Sequence, residues 1–312
     1  MTELDGADRL DPALRDVATT RTDFSRAAIE LVREPFNERR RLAAEQTDTH
    51  GVRIIEDRVE AESGDVQVRI YRGEPADRAP GVVYCHAGVF ALGNLDTDHR
   101  QCVELARRAR CTVVSVDYRL APEHPFPAAL EDASAVLRWV AADAAKLGVD
   151  PERLAVAGSS AGATLAACLA QRATDGSLPP VAFQLLHQPV LDDRITGSKA
   201  EFRTSPAFDG EAADLMWRHY LGPASASADA VPARRAEFDR LPTALITCAE
   251  IDPFRDEAVD YALLLLRAGV SAELHVFART CHGFDSLLPD WSGAQRLFAL
   301  QGHALASALH SD

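Results

Sequence analysis

The rhythm of apolar and polar positions changes twice along the chain. Up to about residue 45 the sequence is charged and alanine-rich, with apolar Phe24, Ala28, Leu31 and Val32 at i, i+4 and i+7 spacing. This spacing predicts an amphipathic helical segment whose apolar face must cover something. Val52 to Val59, then Val66, Val68 and Ile70, alternate with polar residues about Ser63-Gly64-Asp65, which predicts a half-buried antiparallel hairpin. Beyond it come short apolar runs at Val82 to Cys85, Thr112 to Val116, Leu154 to Ala157, Val181 to Leu186, Ala244 to Thr247 and Leu274 to Phe277. Helical stretches over 96–109, 128–146, 161–173 and 256–267 separate most of them, and a last one covers about 292–308. Strands alternating with helices imply a mostly parallel sheet buried on both faces, because a parallel crossover needs about a dozen residues, usually a helix.

The alternation breaks once. Between Pro189 and Pro242 the residues are charged and small, with a helix predicted over Asp214 to Leu221 and a polar loop over Pro223 to Pro232. An insertion of that size in a regular sheet reads as a lid. The expected organisation is an N-terminal cap segment over 1–45, a first core part over 46–190, a cap insertion over 191–240 and a second core part over 241–312.

Composition narrows the choice of partners. Forty-seven acids against thirty-three bases give a formal charge of -14, the wrong sign for binding nucleic acid or an anionic membrane through phosphates. Met1 to Leu14 carries four acids and no apolar signal core, and no run approaches the ~18 apolar residues of a membrane span. A cytoplasmic protein without a transmembrane segment is expected. The six cysteines form no C-x-x-C pair and lie mostly within apolar runs, which predicts reduced, buried thiols. Cys281 next to His282 could be a nucleophile, but adjacency in sequence is not the spatial pairing that such chemistry needs. No metal or nucleotide motif is present, so no cofactor is expected. A homodimer is compatible with the sequence, which does not fix the oligomeric state.

Gly158-Ser159-Ser160-Ala161-Gly162 joins the run Leu154 to Ala157 to the helix starting near Ala161, the setting in which G-x-S-x-G carries information. Only Ser160 has glycine two residues to either side, so Ser160 and not Ser159 is the expected nucleophile. A hydroxyl needs a base to take its proton and an acid to orient that base. His282 follows the run Leu274 to Phe277, and Asp252 follows Ala244 to Thr247, so both fall at the carboxyl edge of the sheet where ligands bind. Asp256 and Glu250 are rival acids, although Asp256 suits the first turn of helix 256–267. Tyr84-Cys85-His86-Ala87-Gly88-Val89-Phe90 supplies a strand-end loop of small residues that could approach an oxyanion. Backbone N–H groups of Ala87, Gly88 and Ala161 are the expected donors, and Val89 and Phe90 are candidates for the pocket wall.

With these motifs the chain resembles the hormone-sensitive-lipase-like family of α/β-hydrolases, which contains many bacterial carboxylesterases. The resemblance extends through Val116-Asp117-Tyr118-Arg119-Leu120-Ala121-Pro122-Glu123-His124-Pro125-Phe126-Pro127-Ala128, Asp252-Pro253-Phe254-Arg255-Asp256 and His282-Gly283-Phe284. It implies an α/β-hydrolase fold with a helical cap, built from the N-terminal segment and the insertion after the sixth strand. The implied activity is hydrolysis of short- to medium-chain acyl esters by Ser160, Asp252 and His282. The Asp117 to Ala128 block has no group suited to bond cleavage and is expected to buttress the oxyanion loop. Two alternatives share the scaffold: an amidase or formamidase with the same triad, and a non-catalytic receptor such as the plant gibberellin receptors, which has no need of all three triad members.

The sequence departs from the family pattern at two places. Ser159 and Ala163 replace an aspartate and a glycine of the elbow, and Ala87 and Val89 replace two glycines of the oxyanion loop. A β-branched residue at position 89 must keep negative φ or strain the loop. Family members with the glycine-rich loop accept esters of bulky tertiary alcohols. The added methyls therefore predict slow turnover of primary-alcohol esters and scarcely any of tertiary ones.

Overall fold

The structure is a computed structural model and describes residues 5–18, 23–62, 64–73 and 78–310. Ser63 of the expected hairpin turn, and residues 1–4 and 19–22 of the expected N-terminal segment, lie outside the described residues. Among the described residues eight strands form one sheet: β1 (Val52–Val59), β2 (Val66–Gly73), β3 (Ala79–Cys85), β4 (Thr112–Asp117), β5 (Val149–Ser159), β6 (Phe183–His187), β7 (Thr243–Ile251) and β8 (Ala272–Cys281). Their spatial order is β1-β2-β4-β3-β5-β6-β7-β8. β1 and β2 form the expected antiparallel hairpin, and β2 is also antiparallel to β4. Every other neighbour is parallel.

Burial follows from this order. Every residue of β3, in the middle of the sheet, is buried, while edge strand β1 is largely exposed or half-buried. Helices Ala128–Ala142, Ala161–Thr174 and Arg255–Arg267 pack Leu130, Val136, Leu165, Leu169 and Leu265 into one apolar layer. On the other face, helices His99–Ala109 and Ser292–Leu309 bring Cys102, Leu105, Leu305 and Leu309 into a second. Two layers on one sheet are what alternating strands and helices must produce. Among the described residues no helix is long and apolar enough to cross a membrane.

Several details differ from expectation. The N-terminal segment is a short Pro12–Arg15 helix, started by Asp11 accepting from the Ala13 N–H, and a separate helix Arg26–Glu45. The stretch 128–146 divides at Asp143, whose N–H closes the first helix on the Trp139 carbonyl. Strand β5 begins five residues early: Val149 and Asp150 pair with Ala79 and Pro80 before the register jumps to Leu154 opposite Gly81. Within the insertion, helix Gly210–Leu221 starts four residues early because Asp209 caps it, and a further short helix covers Gly197–Glu201.

Candidate active site

Register brings the three chemical groups to one edge. The last paired residues of β7 and β8 are Ile251 and Cys281, so Asp252 and His282 leave neighbouring strands side by side. β8 reaches this point through a bulge: between Ala249↔Phe277 and Ile251↔Cys281 it advances four residues while β7 advances two. Arg279 takes φ 61° there, and its N–H donates to the Glu250 carboxylate at 2.8 Å. The extra residues aim His282 across the sheet edge, a use bulges commonly serve near functional sites. Ser160 follows the registered pair Ser159↔His187, and its N–H donates to the His187 carbonyl at 2.8 Å.

Ser160 is held at φ 53° and ψ -118°, a conformation that L-residues avoid and that lifts its hydroxyl out of the turn. The flanking glycines make this bend possible for different reasons. A Cβ on Gly158 would overlap the Gly162 carbonyl, and one on Gly162 would overlap the carbonyls of Cys85 and His86. The second overlap shows how closely the elbow approaches the base of the 86–90 loop.

Ser160, His282 and Asp252 form an unbroken hydrogen-bonded chain. The Ser160 hydroxyl lies 2.9 Å from His282 Nε2, and His282 Nδ1 lies 2.8 Å from Asp252 Oδ2. A carboxylate only accepts, so Nδ1 carries the proton and Nε2 is left free to accept one from the serine. Asp252 is fully buried and its other oxygen takes the Phe254 N–H at 2.9 Å. The rings of Phe254 and Phe208 each stand 5.3 Å from the imidazole. This arrangement can withdraw the serine proton as the oxygen attacks a carbonyl carbon.

The rival residues are engaged elsewhere. Asp256 accepts the Ser198 N–H at 2.7 Å and Arg255 Nε at 2.8 Å. Glu250 bonds to Arg9 and the Arg279 N–H. All six cysteines are buried and unpaired, and burial pushes the Cys281 thiol up to about 12, which denies it the thiolate a nucleophile needs.

One expectation about the oxyanion loop is corrected. The Ala87 N–H donates to Asp98 Oδ2 at 2.8 Å and so is already engaged and not available to an oxyanion. Among the described residues the N–H groups of Gly88 and Val89 have no protein acceptor. Ala161 stands at the first position of its helix, where N–H groups lack an intrahelical partner. Val89 takes the strained alternative with φ 53°, and Phe90 follows at φ 60°.

A frame around the loop maintains this conformation. Gly88, at φ 134°, offers its carbonyl to the N–H groups of Ala91 and Leu92, and a Cβ there would overlap the Leu92 carbonyl. The Asp117 to Ala128 block provides the buttress: the Tyr118 hydroxyl bonds the His86 carbonyl at 2.8 Å, and the Ala121 N–H bonds the Phe90 carbonyl at 2.8 Å. Arg33, from helix Arg26–Glu45, donates to the carbonyls of Ala91 and Ala121 and pairs with Glu123. The insertion meets the loop where Tyr220 stacks on Phe90, with centroids 3.8 Å apart. Arg33, Asp98, Phe208 and Tyr220 were not among the residues expected from sequence. Asp98 falls inside the stretch 96–109 expected to be helical, although the helix begins at His99, and the others carry no local signal.

A serine at a strained strand-to-helix turn, hydrogen-bonded through a histidine to an aspartate at the ends of neighbouring parallel strands, is the arrangement found in serine hydrolases. Residues 82–286 match the model of a family described as alpha/beta hydrolase fold. The crystal structure of esterase LipW from Mycobacterium marinum is similar at 66% identity and TM-score 0.97, over 99% of each chain. Carboxylesterase NlhH of Mycobacterium tuberculosis is 42% identical over 82% of this chain and 83% of its own. Esterase LipI of the same organism is 42% identical over 75% of each. The chain belongs to the α/β-hydrolase fold family, in its hormone-sensitive-lipase-like branch, and is a carboxylic ester hydrolase.

Proposed function

We propose that Ser160 is the nucleophile, His282 the general base and acid, and Asp252 the residue that orients His282, in the hydrolysis of short- to medium-chain acyl esters. The observation that carries this reading is the chain Ser160 Oγ, His282 Nε2, His282 Nδ1, Asp252 Oδ2, with both hydrogen bonds under 3 Å. Ser160 Oγ attacks the ester carbonyl carbon while its proton passes to His282 Nε2. The carbonyl oxygen becomes an oxyanion that accepts from the N–H groups of Gly88, Val89 and Ala161. Collapse breaks the bond to the alcohol oxygen, which leaves with the proton from Nε2. Water, deprotonated by the same nitrogen, then attacks the acyl-enzyme and releases the acid and Ser160.

The segments 1–45 and 191–240 serve in this reading as a cap over the core parts 46–190 and 241–312. Phe24 packs with its ring tilted against Phe208, which leans on His282, and His219 bonds the Phe24 carbonyl at 2.8 Å. Ser160 is only 4% exposed beneath this cover. A cavity of about 590 Å³, lined by Asp192, Arg194, Thr196 and Asp256 among others, includes neither Ser160 nor His282 and is not the substrate site in this reading. The six buried, unpaired thiols suit a cytoplasmic setting. The reading leaves room for a homodimer, which analytical ultracentrifugation decides.

The test is a chain-length series of p-nitrophenyl esters with a phosphonate label. Turnover of the short and medium esters, with the label mapped to Ser160, is expected. No turnover, or a label on Ser159, overturns the assignment. Matched ester and amide substrates separate the esterase from an amidase.

A further inference from the structure

We propose that Asp98 is a positioning residue for the oxyanion loop. Its place in the chain suggests a simpler task, since an aspartate immediately before helix His99–Ala109 ordinarily caps that helix through its side chain. Asp98 is at the N-cap position but makes no side-chain cap bond. Its carboxylate turns towards the end of β3 instead. There one oxygen, Oδ2, takes the Ala87 N–H at 2.8 Å and the Tyr84 hydroxyl at 3.1 Å. Asp98 is 8% exposed and Tyr84 1%, so the carboxyl group is held away from solvent. A buried carboxyl is costly to retain unless specific donors satisfy it, and here two donors converge on one oxygen.

The geometry gives the contact a consequence for catalysis. Ala87 is fixed at both of its peptide groups, by Asp98 at the N–H and by His86 Nδ1 at the carbonyl, 2.7 Å away. With Ala87 clamped, the reversal at Gly88 presents the next two amides as the free ones. Removing Asp98 frees the Ala87 N–H and lets the 87–89 backbone rotate. The oxyanion then loses aligned donors, while the ground-state substrate, whose carbonyl carries little charge, loses little. Asp98 therefore acts through the loop and touches no substrate. This inference rests on the proposed role of Ser160 and the loop amides.

The experiment compares Asp98→Ala, Asp98→Asn and Tyr84→Phe by p-nitrophenyl ester kinetics, thermal melting and inhibition by an alkyl trifluoromethyl ketone. The ketone carbonyl carbon is attacked by Ser160 Oγ, the hydroxyl proton passes to His282, and the resulting hemiketal oxyanion occupies the same hole. Asp98→Ala is expected to lower kcat by about 100-fold and to weaken the ketone by a similar factor, with KM within about threefold of wild type. Tyr84→Phe removes the second donor but keeps the Ala87 bond, so kcat stays within about threefold even if the melting temperature drops. Asp98→Asn retains an acceptor oxygen without charge, and a several-fold loss of both kcat and ketone affinity is expected. If Asp98→Ala does not fold, Asp98→Asn carries the test. Unchanged kcat and ketone affinity in the folded variant overturn the proposal, as does a loss that Tyr84→Phe reproduces in full. A wild-type enzyme that forms no ketone adduct at Ser160 would overturn the reading of the site itself, whatever Asp98 does.

Discussion

The ring of Phe208 lies 5.3 Å from that of His282, at 40°, and joins the insertion directly to the imidazole that must hold its orientation. Phe24 from the N-terminal segment and Phe254 from the loop after β7 complete the contact, with centroids 5.5 and 5.3 Å from Phe208. Truncating a buried phenylalanine costs about 3–5 kcal/mol, so Phe208→Ala should lose most of that in chemical denaturation. It should also lower kcat about tenfold by leaving one face of His282 unpacked, an effect of about 1.4 kcal/mol on the barrier. A stability loss with unchanged kcat would reduce Phe208 to packing alone.

The two serines and two acids separate cleanly by substitution. Ser160→Ala should abolish turnover and phosphonate labelling, and Ser159→Ala should retain both. Asp252→Asn should cut kcat by about 10³- to 10⁴-fold, since an amide no longer fixes the imidazole tautomer. Asp256→Asn should cost far less, because Asp256 meets Ser198 and Arg255 and not His282. The opposite ranking in steady-state kinetics would transfer the triad acid to Asp256.

Much of this site is legible in the sequence because its chemistry sits at strand ends, which the apolar runs mark. Ser160, Asp252 and His282 each follow such a run by a few residues. What stays hidden is set by pairing across long stretches of chain. The β8 bulge that aims His282 depends on Arg279 meeting Glu250, a contact no local pattern encodes. Asp98 is hidden for a related reason: the pattern places it inside a helical stretch over 96–109, whereas the helix begins at His99 and the Asp98 side chain turns to the end of β3. Ala87 was expected as a donor because strand-end small residues look alike in sequence; which amide is free is decided by Asp98.

Acid should loosen the fastening of the N-terminal segment. The Arg9 side chain bonds Glu250 and holds its carboxyl below its ordinary value of 4.5, with the Arg279 N–H adding to the effect. Arg33 does the same for Glu123. A carboxyl with a depressed folded value stabilises the protein above its unfolded value, and that contribution is lost as the pH falls from about 4.5 through the folded value. The pairs are partly exposed, so each contribution is modest. The melting temperature should fall between about pH 5 and pH 3, and less steeply in the Arg9→Ala, Arg33→Ala double variant. Parallel curves for the two proteins would show that these pairs do not contribute.

Val89 offers the sharpest test of the loop. A β-branched residue at φ 53° costs about 1–3 kcal/mol, and Val89→Gly relieves it. The change also removes a buried side chain, worth about 1.5–3 kcal/mol, and adds backbone freedom worth about 0.5–1 kcal/mol to the unfolded chain. The opposing effects nearly cancel, so Val89→Gly should cost under about 2 kcal/mol in chemical denaturation. Val83→Gly in fully buried β3, where no left-handed strain is relieved, should cost clearly more. The same deletion should open space beside the scissile carbonyl, so kcat/KM on a tertiary-alcohol ester should rise relative to a primary one. Val89 lies at the loop's free amides, and relief of strain alone would change the two esters alike. A cost equal to that of Val83→Gly would show that position 89 stores no strain, and an unchanged ester ratio would show that its side chain does not bound the alcohol pocket.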